Sequence, residues 1–142
     1  MAEVPSPTGA FLVALTPESM EAIRARAINI PYLPFRVGRE SRRARWTGRG
    51  LVAERRVVSA PNNDLYLPEM GDPINVSREH FLIDKGSDGF FLEDRGSACG
   101  CIVEGVLVGG DGKSRRSALR DHDVIIIGTS SSPFVFKFRI ES

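Results

Sequence analysis

Residues 134–140 read Phe-Val-Phe-Lys-Phe-Arg-Ile, with Phe134, Phe136, Phe138 and Ile140 at every second position and Val135, Lys137 and Arg139 between them. A period of two sends alternate side chains to opposite faces of an extended chain, so this stretch predicts a strand with one apolar face. Just upstream, Val124–Ile127 is apolar without alternation, which predicts a strand covered on both faces in the middle of a sandwich. Further back, residues 81–84 and 89–94 flank Gly86-Ser87-Asp88-Gly89, and a second turn is written Gly109-Gly110-Asp111-Gly112. The first is hairpin chemistry. From Leu33 onward, short runs rich in Val, Ile and Phe alternate with Gly, Asp, Asn and Ser clusters. Many short strands with little helix predict an all-β fold of two packed sheets.

The N-terminal part reads differently. Residues 1–10, rich in Pro, Ser and Gly, are expected to be a flexible arm, and residues 11–15 a short buried strand. Thr16 followed by Pro17 is an N-cap with proline at the first helical position. Met20, Ile23 and Ala27 then recur at helical spacing until Pro31, which predicts one short surface helix. Residues 11–142 form a single domain on this reading, with an arginine-rich loop insertion at about 40–62 that has room for one hairpin.

At 142 residues the chain matches one ordinary domain, and 42% hydrophobic with 26% charged residues is the balance of a packed globular protein. Net charge is only +1, but residues 36–56 hold eight arginines against Glu40 and Glu54, a local +6. Such a run with Trp46 inside it could touch nucleic acid; the expected reading is a solvated loop balanced by the acidic remainder. The segment could also speed capture of doubly charged ligands. No secretory pattern or long apolar run is present, so the expectation is a cytoplasmic protein with no membrane partner.

Material for catalysis is thin. There are two histidines, no P-loop, no dinucleotide fingerprint and no H-E-x-x-H, so no enzyme and no cofactor are expected. Asp121-His122-Asp123 precedes the VIII run, where a turn needs polar capping residues, and it reads as that turn. Cys99 and Cys101 have no further cysteine pair to complete a zinc site, so no metal is expected; both read as packing residues on opposite faces of a strand.

Three spaced blocks carry the positive signal: Phe35-Arg36-Val37-Gly38-Arg39, Ser77-Arg78-Glu79-His80, and the run from Asp94 through Arg95-Gly96-Ser97-Ala98-Cys99-Gly100 to Cys101. Each sits at a predicted strand-to-loop boundary. Arg39 offers a planar fork of donors, Ser77 a short hydroxyl donor and Arg78 a second cation, which together suit a dianionic phosphate. In this order, and followed by L-R-D-H-D-V-I-I-I-G over residues 119–128, the blocks resemble the signature of forkhead-associated (FHA) domains.

That resemblance implies a phosphothreonine-dependent protein interaction module in Ser/Thr kinase signalling, contacting phosphate through Arg39 and Ser77, with Arg78 adding a peptide contact. The partner it implies is a phosphorylated protein, such as a Ser/Thr kinase or its substrate. It further implies that Ala98 and Cys99 lie on the peptide, while Gly38, His80 and Gly100 brace the binding loops. The chain departs from the family where the usual Asn-Gly-Thr reads Cys99-Gly100-Cys101 and a later Asn-Gly reads Glu104-Gly105. The missing asparagine normally bonds the peptide main chain, and a thiol cannot replace an amide. The alternative is therefore an FHA-like structural or adaptor domain that binds its partner without phosphate.

Overall fold

In a computed structural model, the strands and one helix follow in chain order: β1 (Ala10–Ala14), α1 (Pro17–Ile23), β2 (Ala27–Asn29), β3 (Phe35–Arg39), β4 (Arg43–Thr47), β5 (Gly50–Glu54), β6 (Leu65–Leu67), β7 (Phe81–Gly86), β8 (Gly89–Asp94), β9 (Cys101–Val103), β10 (Val106–Val108), β11 (Arg116–Ala118), β12 (Val124–Ile127) and β13 (Val135–Ile140). The structure describes residues 6–40, 43–47, 50–54, 62–68, 74–110, 112 and 114–141, and of 43–47 and 50–54 the backbone alone. Two sheets carry the fold, one ordered β10-β9-β12-β13-β1-β2 and the other β11-β8-β7-β3-β6. The expected two-sheet β-sandwich with one short helix is what the chain forms.

The sheets meet through their apolar faces. Phe136 and Phe138 from β13 and Ile125 and Ile127 from β12 face Phe35, Val37, Phe81, Ile83 and Leu92 of the other sheet, all buried. Phe90 of β8 meets Phe138 of β13 edge to face at 5.3 Å, which ties one sheet to the other. Each such phenylalanine removed from water contributes about 2 kcal/mol before ordering costs. Gly86 and Gly89 pair across the two-residue turn of the β7–β8 hairpin, as the sequence predicted.

Several expectations are corrected. Ile125 and Ile127 are buried while Val124 and Ile126 are only partly so; β12 is central between β9 and β13, yet only one of its faces meets the other sheet. Helix α1 stops at Ile23, with Arg24 in the left-handed region at φ 55°. Residues 27–29 pair instead with β1, Leu12 opposite Ile28. Two turns of helix gain little by growing, whereas the β1 edge offers a full set of backbone partners. Within residues 6–10, Ser6 donates its hydroxyl to the Ala10 carbonyl at 2.6 Å and Thr8 to Ile30 at 2.7 Å. Residues 1–5 lie outside the described residues.

The arginine-rich excursion holds the antiparallel β4–β5 hairpin, Arg43 opposite Glu54 through Thr47 opposite Gly50; residues 41–42, 48–49 and 55–61 lie outside the described residues. Among the described residues no helix is long and apolar enough to cross a membrane.

Candidate functional site

Strand β3 delivers Gly38 and Arg39 to one end of the five-stranded sheet. It lies antiparallel to β7, with Val37 opposite Phe81, and parallel to β6, with Arg39 opposite Leu67. The chain entering β7, residues 74–80, folds back over the end of β3. The Arg39 N–H donates to the Ser77 carbonyl at 2.9 Å and the His80 N–H to the Val37 carbonyl at 3.1 Å. The approach is so close that a Cβ on Gly38 would lie 2.0 Å from the Arg78 carbonyl oxygen. Glycine is the residue that lets the loop lie there.

The Arg39 side chain turns the same way: its Nε–H donates to the Val76 carbonyl at 2.9 Å. This bond fixes the plane of the guanidinium beside residues 76 and 77. Ser77 is held on three sides, by its carbonyl on Arg39, its N–H on His80 Nδ1 at 2.9 Å, and its Oγ accepting the Ala98 N–H at 3.0 Å. An Oγ that accepts from Ala98 is left to donate its own proton elsewhere. The Arg78 side chain is exposed, while its carbonyl accepts from Asn63 Nδ2 at 2.6 Å.

His80 joins two loops from within. It is fully buried; Nδ1 accepts from Ser77 and Nε2 lies 2.7 Å from the Gly100 carbonyl. A backbone N–H can only donate and a carbonyl only accept, so the ring is the neutral tautomer with its proton on Nε2. Gly100 takes φ 71°, and a Cβ there would meet the Val108 carbonyl at 2.6 Å. Its carbonyl also accepts from Gly128 at 2.9 Å.

The third loop is built around Asp94, whose buried carboxylate accepts the Gly96 N–H at 2.8 Å, the Ser97 N–H at 3.1 Å and the Ser97 hydroxyl. The Ser97 Oγ in turn accepts the Gly100 N–H at 2.9 Å. Hence Arg39, Ser77, Ala98, Gly38, His80 and Gly100 form one connected rim. Cys99 lies on it, before β9 and not within a strand, with Sγ 4.0 Å from the Ile74 carbonyl. The expected alternation of the cysteines along a strand is corrected: Cys101 alone is in β9, fully buried. Burial, followed by the nearby Asp94 charge, pushes the Cys101 thiol well above its usual range.

Asn63 was not foreseen from sequence. It is buried, 2% exposed, and bridges two loops, donating to the Arg78 carbonyl and accepting from Arg95 Nη1 at 2.5 Å. Arg95 also donates to the Asn62 carbonyl at 2.9 Å; burial pulls its pKa below the usual value, and Glu79 acts against that. Beside them Asp64 accepts from the Arg36 Nε and N–H, at 3.0 and 2.8 Å, and from Tyr32 at 2.7 Å. Burial alone would raise its carboxyl, but these bonds outweigh it and hold the group below its ordinary value. The available signals were Asp94-x-x-Ser97, a spacing by which a carboxylate caps the N–H groups two and three residues on, and the Asn-Asn-Asp turn at 62–64. The Asp121-His122-Asp123 cluster is a turn, Asp123 accepting from the Arg120 N–H at 2.9 Å. Among the described residues no group of three His, Cys, Asp or Glu is placed to hold a metal ion.

The fold has counterparts among solved structures. The structure is similar to the FHA domain of the CT664 protein from Chlamydia trachomatis, with TM-score 0.60, 20% identity, and 94% of this chain and 98% of that one covered. It is similar to the kinase-interacting FHA domain of the kinase associated protein phosphatase KAPP in Arabidopsis, with TM-score 0.56, 22% identity, and 94% and 93% covered. Mycobacterium tuberculosis EmbR in complex with a low affinity phosphopeptide gives TM-score 0.56 at 20% identity; 94% of this chain is covered, and the chain spans 24% of the EmbR chain. No curated protein matches in sequence. The FHA domain family itself matches residues 35–128, from the start of β3 to the glycine that bonds Gly100, and the chain belongs to that family.

Proposed function

We propose that this domain binds proteins phosphorylated on threonine, through Arg39, Ser77 and Arg78. One observation carries the reading: Arg39 and Ser77, 38 positions apart in sequence, are locked side by side, with the Arg39 Nε–H on Val76 and the Ser77 Oγ accepting from Ala98. A planar cation and a hydroxyl donor, both oriented by bonds already made, meet a dianionic phosphate with little further ordering. Ala98 and Cys99 lie along the path of the peptide main chain, and the neutral His80 keeps the two loops in register. The family and the phosphopeptide bound to EmbR support the same ligand class. The chemistry needs no catalyst and no cofactor. The partner is a phosphorylated protein in a Ser/Thr kinase pathway, either a kinase or its substrate.

Matched peptides carrying phosphothreonine, phosphoserine or unmodified threonine, titrated calorimetrically, test the proposal. Binding is expected for phosphothreonine, weaker for phosphoserine and absent without phosphate; equal binding of all three removes the reading. Arg39→Ala is expected to abolish phosphopeptide binding. If a partner protein is instead retained by the Arg39→Ala domain at wild-type strength, the phosphate-independent alternative motivated by Cys99 holds.

A further inference from the structure

The two sheets differ on the faces they turn away from the core. Across the five-stranded sheet, one outward row reads Arg36, Leu82, Glu93, Arg116 by register, a charged row suited to water. Across the six-stranded sheet, the corresponding row is apolar from end to end. Leu107 pairs with Ile102, Ile102 with Ile126 and Ile126 with Val135, and the Leu15 N–H donates to the Val135 carbonyl at 3.0 Å. The ends of this row stand open, Leu107 40% and Leu15 44% exposed. The three residues between them are only partly buried.

The next row holds two charges. Val124 lies opposite Lys137 on β13; on its other side Glu104 is bonded to it, Glu104 N–H to the Val124 carbonyl at 3.0 Å and Val124 N–H to Glu104 Oε2 at 2.8 Å. Among the described residues neither Lys137 nor Glu104 has an ion-pair partner. Lys137 lies one strand spacing of about 4.8 Å to one side of β12, and on the other side Glu104, in the β9–β10 turn at φ 47°, holds its carboxylate on the Val124 N–H. A two-fold axis running along β12, between two copies stacked face to face, exchanges left and right. It sets Lys137 of each copy over Glu104 of the other, Leu107 over Leu15, Ile102 over Val135 and Ile126 over itself. The apolar row and the charges are thus complementary to their own image, the condition for an isologous interface.

We infer that this outer sheet face is a self-association surface, and that the covering partner is a second copy of this chain. The inference stands apart from phosphopeptide recognition, since the face lies on the six-stranded sheet and uses none of the rim residues. It also accounts for Glu104, the family departure that the binding rim does not use. The row spans four strand spacings, about 19 Å, a small area for a specific interface, so the dimer forms at high concentration and dissociates on dilution.

Sedimentation equilibrium from about 10 μM to about 1 mM reads the association directly. The weight-average mass is expected to rise toward that of two chains over this range. Lys137→Glu is expected to weaken association at least tenfold, and adding Glu104→Lys to it to restore most of the loss by swapping the pair. Leu107→Glu, on an exposed edge strand where folding is not at stake, is expected to keep the chain monomeric, while Arg39→Ala leaves the dimer intact. A chain that stays monomeric to about 1 mM, or a charge swap that restores nothing, overturns the inference.

Discussion

Gly38→Ala puts the architecture of the binding rim to a quantitative test. The added Cβ would lie 2.0 Å from the Arg78 carbonyl oxygen, 2.6 Å from Asn63 Nδ2 and 2.8 Å from the Arg78 carbonyl carbon. Favourable contact between heavy atoms begins at about 3.5 Å, so β3 and the loop above it must part by more than about 1 Å. Two bonds cross that gap, Arg39 to Ser77 at 2.9 Å and His80 to Val37 at 3.1 Å, and an opening of about 1 Å takes both beyond hydrogen-bond range. At about 1 kcal/mol each, more where a buried group loses its partner, the loss is about 2–3 kcal/mol. Alanine returns part of this, up to about 1 kcal/mol, by stiffening the unfolded chain. The expected net destabilisation is therefore about 1–3 kcal/mol, read as a lower urea midpoint at unchanged slope. Gly86→Ala is the control, because a Cβ there meets only the Phe91 ring at 3.6 Å, and its midpoint is expected to stay level or rise. A Gly38→Ala midpoint no lower than that of the control would refute the claim that the loop lies on β3.

The same reasoning extends to three other positions. His80→Ala leaves the Ser77 N–H without its partner, takes one of the two bonds from the Gly100 carbonyl and opens a void, an expected cost of about 3–5 kcal/mol in urea unfolding; a cost under about 1 kcal/mol would show that the ring does not join the loops. Cys99→Asn puts an amide at the position proposed to face the peptide and is expected to tighten phosphothreonine-peptide binding about fivefold, the worth of one hydrogen bond; unchanged affinity counts against the placement of Cys99 on the peptide. Asp64, whose folded-state carboxyl is held below its ordinary 3.8, contributes stability that is complete above that value and is lost as pH falls through the folded-state value. Asp64→Asn is accordingly expected to be less stable than wild type at pH 7, with the difference shrinking below about pH 3.8 in acid titrations followed by circular dichroism; a difference independent of pH would remove the Arg36–Asp64 linkage.

The strands that packing alone specifies were legible. Phe134, Phe136 and Phe138 read as one face of a strand and are buried together, because burial on one side is the whole reason for their alternation. Val124–Ile127 misled, since Val124 and Ile126 are apolar on a face that does not meet the other sheet. A both-faces-buried strand and a strand with an open apolar face write the same sequence. The segment 27–29 misled for another reason: its helical spacing is a local signal, and the pairing with β1 that overrides it is between residues 14 to 18 positions apart, which no local period records.

The rim was legible in its ends and not in its middle. Arg39 ends β3 and Ser77 lies in the loop before β7, and the type of each polar group announces what it can hold. What makes them a site is Gly38, which contributes no chemistry and is legible only as the small member of a Gly-Arg pair. Its meaning lies in the 2.0 Å that a Cβ would leave to Arg78, a residue 40 positions downstream. Asn63 is the converse case. Its amide spans two loops at once, one end on Arg78 and the other on Arg95, and each of those contacts depends on the other two segments being in place. The second asparagine of Asn62-Asn63 carries no trace of that, because a bridge is a property of three chain segments together. Candidate binding residues can therefore be named singly from their chemistry, whereas the residues that hold them need the fold. Substitutions of Gly38 and Asn63 should for that reason impair binding and stability together, and substitution of the exposed Arg78 side chain binding alone.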